Sequence, residues 1–83
     1  MLKEILEQFY DEEIIKADGF DDAVIGIAND FCEPRLVYSV SQCIDILRNE
    51  DMAYEDAIEY FTFNVSGSYI GEKNPIWCWD IYK

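Results

Sequence analysis

The chain has no histidine, and only six of its 83 residues are basic against eighteen acidic ones, a formal net charge of −12. Each shortage excludes something. Without histidine the commonest general base and the commonest metal ligand are gone. Six scattered cations do not make the Lys/Arg surface that phosphates need, so direct nucleic-acid binding is not expected. Adsorption to an anionic membrane is excluded for the same reason. The cysteines, Cys32, Cys43 and Cys78, are odd in number and form no CxxC pair. A fully paired disulfide framework is therefore ruled out, and a reduced cytosolic setting fits. No apolar run approaches the length of a membrane span, and the start, MLKEILEQFYDEE, reads as an acidic amphipathic helix rather than a secretory signal.

What is present is apolar and aromatic: 51% of the chain is hydrophobic, and 16% of it is Phe, Trp or Tyr. That is too much for a disordered acidic tail, and 83 residues leave room for one domain, so a single acidic α+β domain over 1–83 is expected. Leu2, Ile5, Leu6 and Phe9 recur at helical spacing. Tyr10, Ile14 and Ala17 form a second, rotated stripe, so the helix either continues to about Lys16 or bends, with Asp18-Gly19 as its end. AVIGIA, Ala23 to Ala28, and RLVYSV, Arg35 to Val40, read as strands, and the short connection between them suits a hairpin. Ser39 and Gln42 match a capping box. Val40, Cys43, Ile44 and Leu47 then make one apolar face of a helix. A third helix carries Tyr54, Ala57, Ile58, Phe61 and Val65 on one stripe, with Gly71 as its stop. IWCWDIY, Ile76 to Tyr82, is a last strand. The order α-β-β-α-α-β predicts a two-layer α+β domain, three helices on one face of a small, mainly antiparallel sheet.

The third helix is unusual in its charge. EDMAYEDAIEYF, Glu50 to Phe61, holds five carboxylates and no cation. With the helix starting near Met52, Asp51 is the expected N-cap, and Glu55 and Asp56 sit where the helix dipole favours anions. Asp51, Glu55 and Glu59 then line one ridge at i, i+4 and i+8, a spacing at which like charges cost about 0.2–0.5 kcal/mol per pair. Two readings stay open: a solvated face, or a row of carboxylates resembling a phosphate track that meets an Arg/Lys groove. Asp11, Glu12, Glu13, Asp18, Asp21 and Asp22 form a second acidic cluster.

Other segments point less far. DGFDD, Asp18 to Asp22, has the raw material for a hard cation but not the EF-hand spacing, and reads as turn chemistry. DDAVIGIA resembles the carboxylate strand of metal-dependent nucleases only faintly, with Glu33 and Asp80 as unselected further carboxylates. No metal, no cofactor and no catalytic residue is expected. Cys32, beside Asp30 and Glu33, is expected to be a poor nucleophile, and Cys43 to be core. Tyr60 and Phe63 lie off the main apolar face, and Asn64, Gly67 and Gly71 share a small-residue face, either packed internally or facing a partner. Trp77 and Trp79 fall on one side of the last strand, Cys78 and Asp80 on the other.

DGFDDAVIGIA, LVYSVSQCIDIL and YEDAIEYFTFNVSGSYIGEKNPI together resemble a group of small acidic proteins of tailed bacteriophages and their prophages, over about Asp18 to Ile76. The group brings no catalytic residue to transfer, so the resemblance implies origin rather than chemistry. By analogy with acidic phage accessory proteins, it implies a non-enzymatic inhibitor of a basic host or defence protein (an anti-CRISPR-like role), working in the host cytoplasm as a nucleic-acid mimic. The expected contacts are Asp51, Glu55 and Glu59, flanked by Glu50 and Asp56. The alternative is a self-associating structural or regulatory protein, a homodimer for instance, using Tyr60, Phe63 and the glycine face or an exposed Trp77/Trp79 face.

Overall fold

A computed structural model describes residues 1–10, 14–29, 34–66 and 74–80. Helix α1 spans Leu2–Gln8, strand β1 Val24–Ala28, strand β2 Arg35–Ser39, helix α2 Val40–Arg48, helix α3 Tyr54–Tyr60 and strand β3 Ile76–Cys78. A 3-10 turn at Asp21–Ala23 leads into β1, and a π-helical stretch, Phe61–Ser66, continues α3. The fold is α+β: three helices and a three-stranded mixed sheet, ordered β1-β2-β3.

The hairpin forms as its two apolar strands predict. β1 and β2 run antiparallel, with Val24 opposite Tyr38, Gly26 opposite Val37 and Ile27 opposite Leu36. The register slips between Val24 and Gly26, which leaves Ile25 as the extra residue of a bulge. Without that insertion Val24 and Ile27, three apart, would point to opposite faces; with it both share the face of Tyr38 and Leu36. Ile25 is turned out and 37% exposed.

β3 joins the other edge of β2 in parallel, pairing Val37 with Ile76, Tyr38 with Trp77 and Ser39 with Cys78. The sheet is thus half parallel, not mainly antiparallel. A parallel neighbour needs a long crossover, and here the crossover carries α2 and α3. Pro75, which has no N–H to place in a ladder, stands just before β3.

The core gathers on the Tyr38 face. Ile5 of α1, Val40, Cys43, Ile44 and Leu47 of α2, and Ala57 of α3 meet Val24, Leu36, Tyr38 and Phe61 there. Tyr38 is fully buried, and its hydroxyl accepts the Ala17 N–H at 2.8 Å. That bond ties the 14–17 segment to the sheet. It also explains why the helix stops at Gln8 instead of reaching Lys16: Ile14 and Ala17 are used as irregular, half-buried chain against the core. Gly19 turns the chain at φ +89, a left-handed conformation that costs glycine nothing. Burial raises the Tyr38 pKa, against the opposing hydrogen bond from Ala17.

Ser39 caps α2 as the S-x-x-Q pattern predicts, its Oγ accepting the Gln42 N–H at 3.2 Å. The strand ends one residue early, since Val40 is already helical. The same cap has a second, distant member. The Asp80 carboxylate accepts the Ser41 N–H at 2.8 Å and the Ser39 hydroxyl proton at 2.5 Å. The α2 apolar face reaches the core at Val40, Cys43, Ile44 and Leu47, all buried. Burial, with a smaller push from the Asp80 charge, drives the Cys43 thiol up to about 12.

Phe61 sits edge-on between two indoles, 5.2 Å from Trp77 and 5.7 Å from Trp79. The two tryptophans therefore do share a side, and burial divides them: Trp77 is half-buried and packs on Tyr38 with ring centres 5.1 Å apart and planes tilted by 41°, while Trp79 is 53% exposed. No helix among the described residues is long and apolar enough to cross a membrane.

Candidate functional site

The link between α2 and α3 decides which carboxylates share a surface. After Arg48 the chain closes its last turn with Glu50 N–H donating to the Leu47 carbonyl and Asp51 N–H to the Arg48 carbonyl, both at 3.0 Å. Asp51 takes φ 70, the left-handed conformation that aspartate tolerates better than most residues. It terminates α2 and does not cap α3. The N-cap of α3 is Ala53, with no side-chain hydrogen bond. The expected Asp51–Glu55–Glu59 ridge is therefore corrected: only Glu55 and Glu59 stand at i and i+4 on the helix. Asp51 and Glu50 lie in the preceding turn, both exposed.

Glu55 and Asp56 do occupy the first turn of α3. Ala57 and Phe61 are buried, and Ile58 and Val65 are half-buried, which aims the inner face of this helix at the core. The opposite face is open. Met52, Asp56, Glu59, Tyr60, Phe63 and Asn64 line a groove of about 520 Å³, open to solvent. Tyr60 is 43% and Phe63 74% exposed. The spacing 56, 59/60, 63/64 keeps these residues on one side, with the carboxylates of Asp56 and Glu59 toward the helix start and the rings of Tyr60 and Phe63 beyond them. Among the described residues no cation lines this groove. Ion pairs among the described residues join the Met1 amino group to Glu4 and Lys16 to Asp21, and neither involves a carboxylate of α3. Arg48, the cation nearest in sequence, instead lies over the Tyr54 ring, 5.7 Å from its centre.

Glu59, a leading residue of the expected acidic row, Asp56, expected to flank it, and Tyr60 and Phe63, expected on a separate partner face, line this groove together. Glu55 is on the flank. Met52 and Asn64 were not expected as members. Met52 precedes the helix that begins at Tyr54, so helical periodicity does not reach it, and spacing groups Asn64 with Gly67 and Gly71, which lie outside the described residues.

The remaining candidates do not converge. The Asp21 carboxylate faces Lys16 Nζ at 3.4 Å. Asp80 is committed to Ser39 and Ser41, and Glu33, Cys32 and Asp11 to Glu13 lie outside the described residues. Among the described residues no three His, Cys, Asp or Glu side chains are grouped to hold a metal.

No family model, curated protein or solved structure matches this chain.

Proposed function

We propose that this is a small non-enzymatic binding protein of phage origin that blocks a basic host or defence protein in the host cytoplasm. The observation that carries the reading is the outer face of α3 and its π-helical continuation, where Glu55, Asp56 and Glu59 stand exposed beside exposed Tyr60 and Phe63, with no cation among the described residues of the groove. Carboxylates on that face meet Arg/Lys groups that otherwise hold phosphates, and the net charge of −12 speeds encounter with a basic partner. The rings add desolvated contact area of the kind that concentrates binding energy. The chain needs no metal or cofactor for this task, and it binds no nucleic acid itself.

The test is capture from host lysate with identification of the captured protein, followed by salt titration and competition with DNA or RNA. The expected partner is a basic nucleic-acid-binding protein, released steeply as ionic strength rises and displaced by nucleic acid. Replacing Glu55, Asp56 and Glu59 with their amides weakens capture while the domain stays folded. Unchanged capture by that triple variant overturns the reading.

A second reading, self-association, draws on the 74% exposure of Phe63. A two-fold dimer buried around Tyr60 and Phe63, seen by sedimentation and lost on Phe63→Ser, supports it. A strict monomer at high concentration removes it.

A further inference from the structure

We infer that the groove along α3 is a seat for an arginine side chain presented by a basic polypeptide segment. This rests on the proposed partner-blocking function and narrows it from general acidity to one side-chain chemistry. A track of carboxylates alone has no use for aromatic rings. Here the carboxylates of Asp56 and Glu59 and the rings of Tyr60 and Phe63 line one groove on one helical face. Both rings are well exposed, and no cation among the described residues lines the groove to satisfy them.

The guanidinium group fits that mixture better than any other common cation. It is planar and weakly hydrated, so it stacks on an aromatic face at small desolvation cost, while its N–H fork meets a carboxylate at two points. An ammonium is compact and strongly hydrated; it keeps the charge attraction and loses most of the stacking. The chain makes the same pairing internally at the start of this helix, where Arg48 lies over Tyr54. The groove is open along one side, which suits a side chain reaching in from a partner's backbone. Charge argues against the other occupants. A nucleic acid is repelled, and two copies at −12 each repel one another.

The test uses the full chain, isotope-labelled, titrated with a capped Gly/Ser peptide carrying three arginines and with its three-lysine counterpart of equal charge. The arginine peptide is expected to shift the amides of Asp56, Glu59, Tyr60 and Phe63, and to bind at least about threefold tighter than the lysine peptide. Its Cδ protons move upfield through the ring currents of the aromatic face. Phe63→Leu and Tyr60→Leu each weaken the arginine peptide about two- to fivefold and leave the lysine peptide nearly unchanged. Asp56→Asn with Glu59→Gln weakens both. Phe63 is exposed, so its replacement leaves the fold intact, checked by thermal melting.

Equal affinity for the two peptides, no effect of Phe63→Leu, shifts centred elsewhere, or a dimer that closes the groove overturns the arginine seat. Its failure is separable from that of the wider function. If the triple amide variant releases the lysate partner while Phe63→Leu does not, the acidic surface stands and the seat falls. If the peptide binds as expected and no captured protein competes with nucleic acid, the seat stands and the blocking function falls.

Discussion

Asp80 Oδ1 accepts the Ser41 N–H at 2.8 Å, across 39 residues of sequence, and so supplies a second cap to a helix that Ser39 has already capped. The other carboxylate oxygen takes the Ser39 hydroxyl proton, and Ser39 Oγ in turn accepts the Gln42 N–H. One network thus satisfies two of the orphan donors at the start of α2 and fastens the exit of β3 to it. Partial burial raises the Asp80 pKa, but the hydrogen bonds from Ser39, Ser41 and its own backbone outweigh that and leave it lowered.

Asp80→Ala should therefore cost roughly 1–2 kcal/mol of stability in urea melts, the range seen when a helix cap is lost. The pH dependence has a definite sign. A carboxyl with a depressed folded value contributes stability above its unfolded value, near 3.9, and loses that contribution as pH falls through the folded value. Relief of repulsion among the other carboxylates acts the opposite way, so the readout is the difference between the wild type and Asp80→Asn. That difference should shrink below about pH 4; a constant difference from pH 6 to pH 2.5 would remove the ionised carboxylate from the network.

The α2–α3 link predicts two gains. Asp51→Gly relaxes the φ 70 residue and removes a charge from an acidic turn, which should stabilise by about 0.5–1 kcal/mol, whereas Asp51→Val destabilises. Ala53→Ser supplies the missing side-chain acceptor at the start of α3 and should add about 1 kcal/mol. Chemical denaturation checks both, and a loss of stability in Asp51→Gly would mean that the aspartate is held there by a bond worth more than the backbone strain.

Tyr38→Phe removes the acceptor of the Ala17 N–H inside the core. The expected cost is about 0.5–1.5 kcal/mol, the net worth of one hydrogen bond, because the donor is only part-buried. Amide exchange at Ala17 should quicken more than at Leu36 or Tyr38 itself. Uniform quickening would show that the bond does not anchor the 14–17 segment specifically.

The thiols should separate in a labelling experiment. Cys43 is fully buried with its pKa near 12, while Cys78 is exposed. Iodoacetamide at pH 8 followed by peptide mapping should modify Cys78 in the native protein and Cys43 only at the rate of unfolding. The raised folded value also has a stability consequence. Its contribution is complete below the unfolded thiol value, near 8.5, and is lost as pH rises from there toward the folded value. Cys43→Ala should flatten that part of the alkaline decline.

The local elements were legible because their signals act over a few residues. Short apolar runs with β-branched residues mark Val24–Ala28 and Arg35–Ser39, the S-x-x-Q step marks the start of α2, and Ala57 with Phe61 marks the inner face of the third helix. The outward placement of Tyr60 and Phe63 follows from the same helical spacing. Asp51 misled because an aspartate ahead of an apolar stripe serves equally as an N-cap or as the left-handed close of the helix before it. The choice depends on how α2 must turn to lay α3 against it.

Sequence by itself determined the α+β class, the hairpin, the buried stripe of α2 and the surplus of negative charge, all of which follow from periodicity, capping and composition, while Leu6 of the α1 stripe and Tyr54 of the α3 stripe stay exposed. Tertiary structure alone decided that β3 lies parallel beside β2, that Asp80 caps α2, that Phe61 is held between Trp77 and Trp79, and that Met52 completes the groove with Asp56, Glu59, Tyr60 and Phe63. These contacts join segments far apart in the chain or outside one regular element. Their geometry is set by burying Tyr38, Leu36 and Phe61 together, and no short-range preference of the residues involved encodes it.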